Sequence, residues 1–248
     1  MLRISETCFK DINRAYEELC GSPVCGHRNQ SFALHDRDGK YIVFKINMRN
    51  PGVSISLSKG QAVSLSKSNP GLSRVFMGLG WDPVKKAGGF LGGLFGGGGG
   101  GSIDLDASVI MFDAGKNSLE TVYFRNLKSS NGAVVHDGDN VTGVGDGDDE
   151  VIHVDLSRLD PRTVHLVFTV NSFRGQTFKE VDNAVARLVD ETNGREICSF
   201  TLREQGPHTG VVMASLSKGA DGWTMKAHGL AATGRTVDDL VGISKSVI

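Results

Sequence analysis

Apolar and hydroxyl side chains alternate along much of the chain from residue 51 onward. Residues 53–57 and 63–65 both show the period of two that is typical of strands with one buried face. The spacing of these two segments indicates that they are two strands joined by a turn around Gly60. Similar patterns predict further strands at residues 74–81, 103–112, 121–124, 151–156, 164–170, 197–202, 211–216 and 223–228.

Helical periodicity is scarce by comparison. One candidate has apolar residues at the spacing of a helix face, namely Phe178, Val181, Val185 and Leu188. Residues 237–247 form a second candidate. Gly, Pro, Asn and Asp separate the strand candidates at the intervals expected of a sandwich. The sequence therefore predicts an all-β fold, a β-sandwich with one or two short helices and a glycine-rich loop insert.

The composition excludes several classes of protein. A chain of 248 residues, 39% of them hydrophobic, can bury a sizeable core as one large or two small domains. No apolar run reaches the length of about 18 residues that suggests a transmembrane helix, and the N-terminus lacks the apolar region of a secretory signal. The four cysteines form no CxxC pair, which favours free thiols in a reducing cytoplasm.

Two segments depart from the strand pattern. Residues 1–50 carry a weak helical pattern at 9–19 and a strand candidate at 41–46, and are expected to be an N-terminal extension, poorly ordered or not native, before a domain at 51–248. An accessory module is the alternative. Residues 88–101 contain ten glycines, interrupted by Phe-Leu and Leu-Phe. They are interpreted as a mobile hairpin tip or, with Lys85 and Lys86 at the base, a docking finger.

Charge is unevenly distributed. Residues 101–150 carry ten acidic and three basic residues, and six of the acids lie within residues 137–150. Two carboxylates about 4 Å apart repel by about 4 kcal/mol at an effective dielectric near 20, so a compact loop of this kind needs a counter-ion. Carboxylate, amide and carbonyl oxygens suit calcium better than zinc. Neither register of the EF-hand pattern fits. A solvated acidic loop is the alternative.

A second acidic pair strengthens the calcium interpretation. Asp104 and Asp106 lie two residues apart in a strand candidate, so both carboxylates are expected on one side of the sheet. Acidic side chains at a buried edge are costly unless they are paired or bind a metal.

Several motifs together are similar to a known family. Residues 77–83 (Met-Gly-Leu-Gly-Trp-Asp-Pro), 102–108 (Ser-Ile-Asp-Leu-Asp-Ala-Ser) and 138–150 resemble the TerD-domain family of bacterial tellurium-resistance and stress proteins. Residues 168–178 and the pair Asn183-Ala184 also match, so the resemblance covers about residues 52–245. Residues 1–50 depart from the family pattern.

The resemblance implies a β-sandwich that binds two calcium ions near one end. The metal ligands it implies are Asp104, Asp106, Asp139, Asn140, Thr142, Gly143, Asp148, Asp149 and Glu150, with Asp146 of the same loop as a further ligand. It also implies assembly with other Ter-family proteins in a membrane-associated complex.

The predicted function is a calcium-binding, non-enzymatic stress-response module implicated in tellurite resistance, which acts through cation-dependent assembly with partners. It is expected in the cytoplasm or at the inner membrane as a peripheral protein. No nucleic-acid partner or small-molecule substrate is expected, because the net charge is −1 and no nucleophile elbow, Walker loop or dinucleotide fingerprint is present. Two alternatives stay open: a self-assembling structural subunit with calcium as a staple, and a metal-dependent hydrolase.

Overall fold

The computed structural model describes residues 29–35, 41–47, 53–84, 104–138, 147–203 and 205–248. The strands in these ranges are β1 (Asn29–His35), β2 (Tyr41–Asn47), β3 (Val53–Leu57), β4 (Ala62–Ser64), β5 (Arg74–Pro83), β6 (Asp106–Phe112), β7 (Ser118–Val122), β8 (Val134–His136), β9 (Glu150–Asp155), β10 (His165–Asn171), β11 (Val181–Asp190), β12 (Arg195–Thr201), β13 (Gly210–Gly219) and β14 (Gly222–Ala232). The helices are α1 (Leu65–Ser68), α2 (Val237–Lys245) and a 3-10 helix at Phe178–Glu180. Among the described residues, neither α-helix is long and apolar enough to cross a membrane.

The strands form two sheets, which confirms the all-β sandwich predicted from the sequence. The eight-stranded sheet has the order β1-β2-β3-β12-β11-β5-β9-β8, and the six-stranded sheet has the order β4-β14-β13-β10-β6-β7. Neighbouring strands run antiparallel except β3 and β12, which run parallel. The sequence pattern found most of these strands but missed β1, β8 and β11. The three residues of β8 are too few for an alternation to be recognised.

One hydrophobic core lies between the sheets. Val75, Met77 and Leu79 of β5 are fully buried and belong to the same cluster as Leu166 and Phe168 of β10. Because side chains of a strand point alternately to its two faces, this core accounts for the alternation in the sequence. Burial of each such side chain contributes about 1.5–3 kcal/mol.

A second cluster covers the outer face of the six-stranded sheet. Phe112, Val167 and Val212 pack there with Val237 of α2. The helix begins at a capping box in which the Thr236 backbone N–H donates to the carboxylate of Asp239 at 3.0 Å. The helix predicted at residues 237–247 is therefore confirmed.

The helix predicted from the spacing at residues 178–188 is wrong. Only a 3-10 turn forms there, and β11 follows it. The strand carries a bulge in which Asn183 and Ala184 face a single residue of β5, and Asn183 has a left-handed φ of 50°. Because the bulge inserts one residue, Val181 and Leu188 are both buried although a regular strand would place them on opposite faces, whereas Val185 lies on the outer face.

The two strands predicted at residues 53–57 and 63–65, joined by a turn around Gly60, are confirmed, but they do not pair with each other. Gly60 does form a turn, with a φ of 81°. However, β3 joins the eight-stranded sheet and β4 joins the six-stranded sheet, so the turn connects the two layers.

The N-terminal region contributes strands to the first sheet. β1 pairs with β2, and β2 pairs antiparallel with β3. The helix predicted at residues 9–19 and the glycine-rich segment at 88–101 lie outside the described residues. The division into an extension at 1–50 and a domain at 51–248 stays a prediction.

Candidate metal centre

The structure describes half of the predicted ligands. Those outside the described residues are Asp139, Asn140, Thr142, Gly143 and Asp146. Those within them are Asp104, Asp106, Asp148, Asp149 and Glu150. Asp106 is the first residue of β6 in the six-stranded sheet, and Glu150 is the first residue of β9 in the eight-stranded sheet.

A direct hydrogen bond joins these two strand ends. The backbone N–H of Ala107 donates to Oε2 of Glu150 at 2.7 Å. Asp106 is 4% exposed and Glu150 is 2% exposed, so two acidic residues from different sheets are buried next to this bond. The structure therefore brings the two acidic segments of the sequence together at one end of the sandwich.

His136 is a neighbour of Glu150 that sequence reasoning did not place in the site. Its Nε2 lies 3.2 Å from Oε2 of Glu150 and 3.2 Å from the carbonyl oxygen of Ala107. The backbone N–H of Gly138 donates to Nδ1 at 3.0 Å. Because Nδ1 accepts a hydrogen bond, this arrangement requires the neutral tautomer with its proton on Nε2. In this tautomer the Nε2–H of His136 donates to the carbonyl oxygen of Ala107, and Oε2 of Glu150 lies beside the same N–H.

Asp149 is held at the end of the ladder between β5 and β9. Its Oδ2 accepts a hydrogen bond from the backbone N–H of Trp81 at 2.7 Å, and its own N–H donates to the carbonyl of Leu79 at 2.9 Å. Burial raises the pKa of the Asp149 carboxyl, the Trp81 N–H opposes this rise, and the nearby carboxylates, Asp82 among them, add to it. Burial, with a smaller contribution from the neighbouring carboxylates, therefore disfavours the ionised form of Asp149.

Asp104 has an arginine partner. Nε of Arg174 lies 2.7 Å from Oδ2 of Asp104, and the backbone N–H of Asp104 donates to the side-chain oxygen of Gln176 at 3.0 Å. Both partners follow β10, which pairs with β6. This contact crosses about 70 residues of sequence, and no local pattern reveals it.

Asp148 lies on the outer face of the eight-stranded sheet. Nε and Nη2 of Arg187 donate to its two carboxylate oxygens at 2.6 Å and 2.7 Å. The pair raises the pKa of the Arg187 guanidinium through the hydrogen bonds, while burial lowers it. Gly78 forms the floor of this contact, because a Cβ there would overlap the Asp148 carboxylate. Arg187, like Arg174, was not found from the sequence.

The donor chemistry of these residues fits a hard cation. Carboxylate and backbone carbonyl oxygens are ligands of the class that calcium prefers. Within the part of the chain that the structure describes, no group of three or more His, Cys, Asp or Glu side chains could hold a metal ion. The predicted metal site therefore stays a prediction.

A cleft of about 350 Å³ lies at the start of β11. Its floor includes Phe178 and Leu202, and its rim includes Asn183, Arg203 and Gln205. Of the five predicted ligands that the structure describes, none lines this cleft.

Comparisons with known proteins agree with the fold and with the motifs. The TerD domain family model matches residues 53–242. Tellurium resistance protein TerZ of Serratia marcescens is 55% identical over 186 residues, which cover 75% of this chain and 94% of that protein. Residues 81–86 and the glycine-rich segment after them resemble TerZ in particular. Stress response protein SCP2 of Bacillus subtilis is 41% identical over 196 residues, which cover 76% of this chain and 98% of that protein.

A solved structure shares the architecture. The crystal structure of a homologue of telluride resistance protein (TerD) from Streptomyces coelicolor aligns with a TM-score of 0.55 and 20% identity, and covers 70% of this chain and 98% of that chain. At this identity the likeness shows the fold alone. Because the family model matches most of the chain and the two relatives are 55% and 41% identical to it, this chain belongs to the TerD-domain family.

Proposed function

We propose that this chain is a calcium-binding, non-enzymatic module of a stress response, implicated in tellurite resistance, that acts through cation-dependent assembly with partner proteins. The observation that carries the proposal is the bond between the Glu150 carboxylate and the Ala107 N–H, which joins the two acidic segments at one end of the sandwich. The names of the relatives, one a tellurium resistance protein and one a stress response protein, support the physiological setting.

The proposed calcium donors are the ten oxygen-bearing residues that the family motif indicates: Asp104, Asp106, Asp139, Asn140, Thr142, Gly143, Asp146, Asp148, Asp149 and Glu150. When bound, two calcium ions supply the positive charge that offsets repulsion among these carboxylates. The carboxylates of Asp149 and Glu150 accept hydrogen bonds from backbone N–H groups of β5 and β6. The chain itself therefore fixes the positions of these oxygens.

A binding role is favoured over catalysis by the partners of these acids. Glu150 and Asp149 accept backbone hydrogen bonds, and Asp104 and Asp148 are paired with arginines. A hydrolase needs a substrate cleft beside its cation, and the lining of the cleft at β11 includes none of the five donors that the structure describes. The acidic end is instead a surface whose charge depends on cation occupancy, which suits regulated contact with other Ter-family proteins, in the cytoplasm or at the inner membrane.

Calorimetric titration of calcium into the chelator-treated full chain tests the proposal. We expect two binding events and a rise in Tm, because each site stabilises the fold by about 2.7 kcal/mol at a hundredfold excess over its Kd. Asp104→Asn/Asp106→Asn and Asp149→Asn should each weaken binding. Asp221→Asn is the matched control, since this carboxylate is 75% exposed and pairs with Lys67. Absence of both binding heat and a thermal shift in the unmutated chain would overturn the proposal.

Light scattering with and without chelator separates a partner-binding module from a self-assembling subunit. A module should stay a single species in both conditions, whereas calcium-dependent symmetric oligomers would favour the structural subunit.

A further inference from the structure

The side chain of Asp148 points in a different direction from that of Glu150. Glu150 reaches the Ala107 N–H between the two sheets. Asp148 instead meets Arg187, which lies in β11 between the buried core residues Ala186 and Leu188. Since alternate residues of a strand face opposite ways, Arg187 points away from the core, and Asp148 therefore lies on the outer face.

The outer face is shaped to hold this carboxylate. Gly78 leaves the space that the Asp148 carboxylate occupies, and a Cβ at Gly80 would come within 2.7 Å of the carbonyl oxygen of Gly147. The side chain of Asp148 is 10% exposed, although the neighbouring Gly147 is exposed. The end of the acidic loop is thus packed against two glycines of β5.

Arg187 is itself fixed by several contacts. Its guanidinium lies 5.6 Å from the ring centre of Phe76, and Nη1 is 3.8 Å from Oε2 of Glu196. Both oxygens of Asp148 accept from this guanidinium, in the two-pronged geometry that arginine and carboxylate favour. The negative charge of Asp148 is therefore already balanced by a residue held in place from two sides.

We propose that Asp148 is an anchor and not a calcium ligand, and that Arg187 is the positioning residue that holds it. This inference rests on the proposed function and narrows its ligand set. A guanidinium bound to both oxygens repels a second cation there, so Asp148 attracts calcium far less than Asp149 or Glu150. The pair pins the end of the acidic loop to the sheet and so fixes the direction of the two carboxylates that follow.

The direction in which two substitutions change calcium affinity tests this assignment. Asp148→Asn and Arg187→Gln should each lower the Tm of the chelator-treated protein and each weaken calcium binding, by about 10- to 100-fold, as loss of a residue that orients the ligands does. The double variant should be no worse than either single variant, since all three break the same contact. If Asp148 were a ligand for which Arg187 competes, Arg187→Gln would tighten calcium binding while Asp148→Asn weakened it, and that result would overturn the inference.

Two further variants keep the test decisive. Arg74→Gln is the control, because Arg74 bonds Glu191 at 3.1 Å in the same sheet, and it should leave calcium affinity unchanged. Arg187→Lys keeps the charge without the two-pronged contact and should give a partial loss in both Tm and affinity. If the unmutated chain binds no calcium, the proposed function fails, yet the Tm values of the cation-free variants still decide the anchor. Additive losses of Tm would then count against it.

Discussion

Two glycines of β5 lie beneath the end of the acidic loop. At Gly78 a side chain would overlap the carboxylate of Asp148, and at Gly80 it would press on the backbone of Gly147. The first obstacle is a side chain held by Arg187, and the second is the main chain, which moves less easily. Neither Gly78 nor Gly80 has a positive φ, so the need for glycine here is one of space and not of backbone conformation.

Gly80→Ala should therefore destabilise the fold. The added methyl would lie 2.7 Å from a carbonyl oxygen, and relief requires the loop end to move away from the sheet. We expect a loss of about 1–3 kcal/mol in the free energy of unfolding, measured by urea denaturation in the presence of chelator. Gly242→Ala is the matched control, since nothing lies within 4 Å of a Cβ there and the position is helical. It should be neutral or stabilising by up to about 1 kcal/mol, and equal losses in the two variants would contradict the packing argument.

The bulge in β11 is a feature of the element rather than of any one residue. In the bulge, Asn183 and Ala184 of β11 lie opposite one residue of β5. The side-chain amide of Asn183 donates to Oδ2 of Asp82 at 2.9 Å. Asn is among the few residues that adopt the left-handed conformation at low cost. The bulge thus joins the start of β11 to an aspartate beside the acidic end.

Substitution of Asn183 should separate backbone conformation from side-chain contact. Asn183→Gly loses the bond to Asp82 but keeps the left-handed backbone accessible, whereas Asn183→Val loses both. We expect the valine variant to unfold at a free energy about 1–2 kcal/mol lower than the glycine variant. Thr201→Val introduces the same side chain at an exposed position of the neighbouring strand and should change stability by less than about 0.5 kcal/mol. Equal stability of the two Asn183 variants would show that the bulge does not constrain this residue.

The same bulge shows what a sequence pattern can and cannot predict about an element. Regular strands such as β5 and β9 were predictable, because one buried face imposes a period of two on the sequence. The first half of β11 was not, since one extra residue shifts the buried positions and the cause lies in pairing with a distant strand. Likewise, nothing local to Gly60 tells a hairpin from a connection between layers.

At the scale of the whole molecule, the acids of the candidate site were predictable and their partners were not. Density of carboxylates is a property of composition, so Asp104, Asp149 and their neighbours could be singled out directly. Arg174, Arg187 and His136 reach the site only after the strands are arranged, across separations of 14 to 70 residues. A family motif marks the predicted ligands, whereas the residues that pair with them follow from sheet topology.

The six-stranded sheet makes the stability of the whole chain depend on pH. His228 of β14 is 7% exposed, and its Nε2 lies 2.9 Å from the hydroxyl of Ser215. Burial lowers the pKa of His228 to about 4, and the charge of Lys226 adds to the effect. An unfolded histidine titrates near pH 6.5. Between these two pH values, His228 is protonated in the unfolded chain but neutral in the folded chain. The free energy of unfolding should therefore fall as the pH drops from about 6.5 to about 4, by up to about 3 kcal/mol.

His228→Gln isolates this effect from the titration of the many carboxylates. Glutamine keeps a neutral group that can bond Ser215, but it cannot take up a proton. At about pH 7 the two proteins differ by the packing cost of the substitution alone. Toward pH 4 the unmutated chain should lose stability relative to the variant. Below pH 4 the difference in stability should stay constant, because His228 is then protonated in both the folded and the unfolded chain. Urea denaturation across this range in chelator measures the difference, and parallel curves would mean that His228 does not stay neutral in the folded sheet.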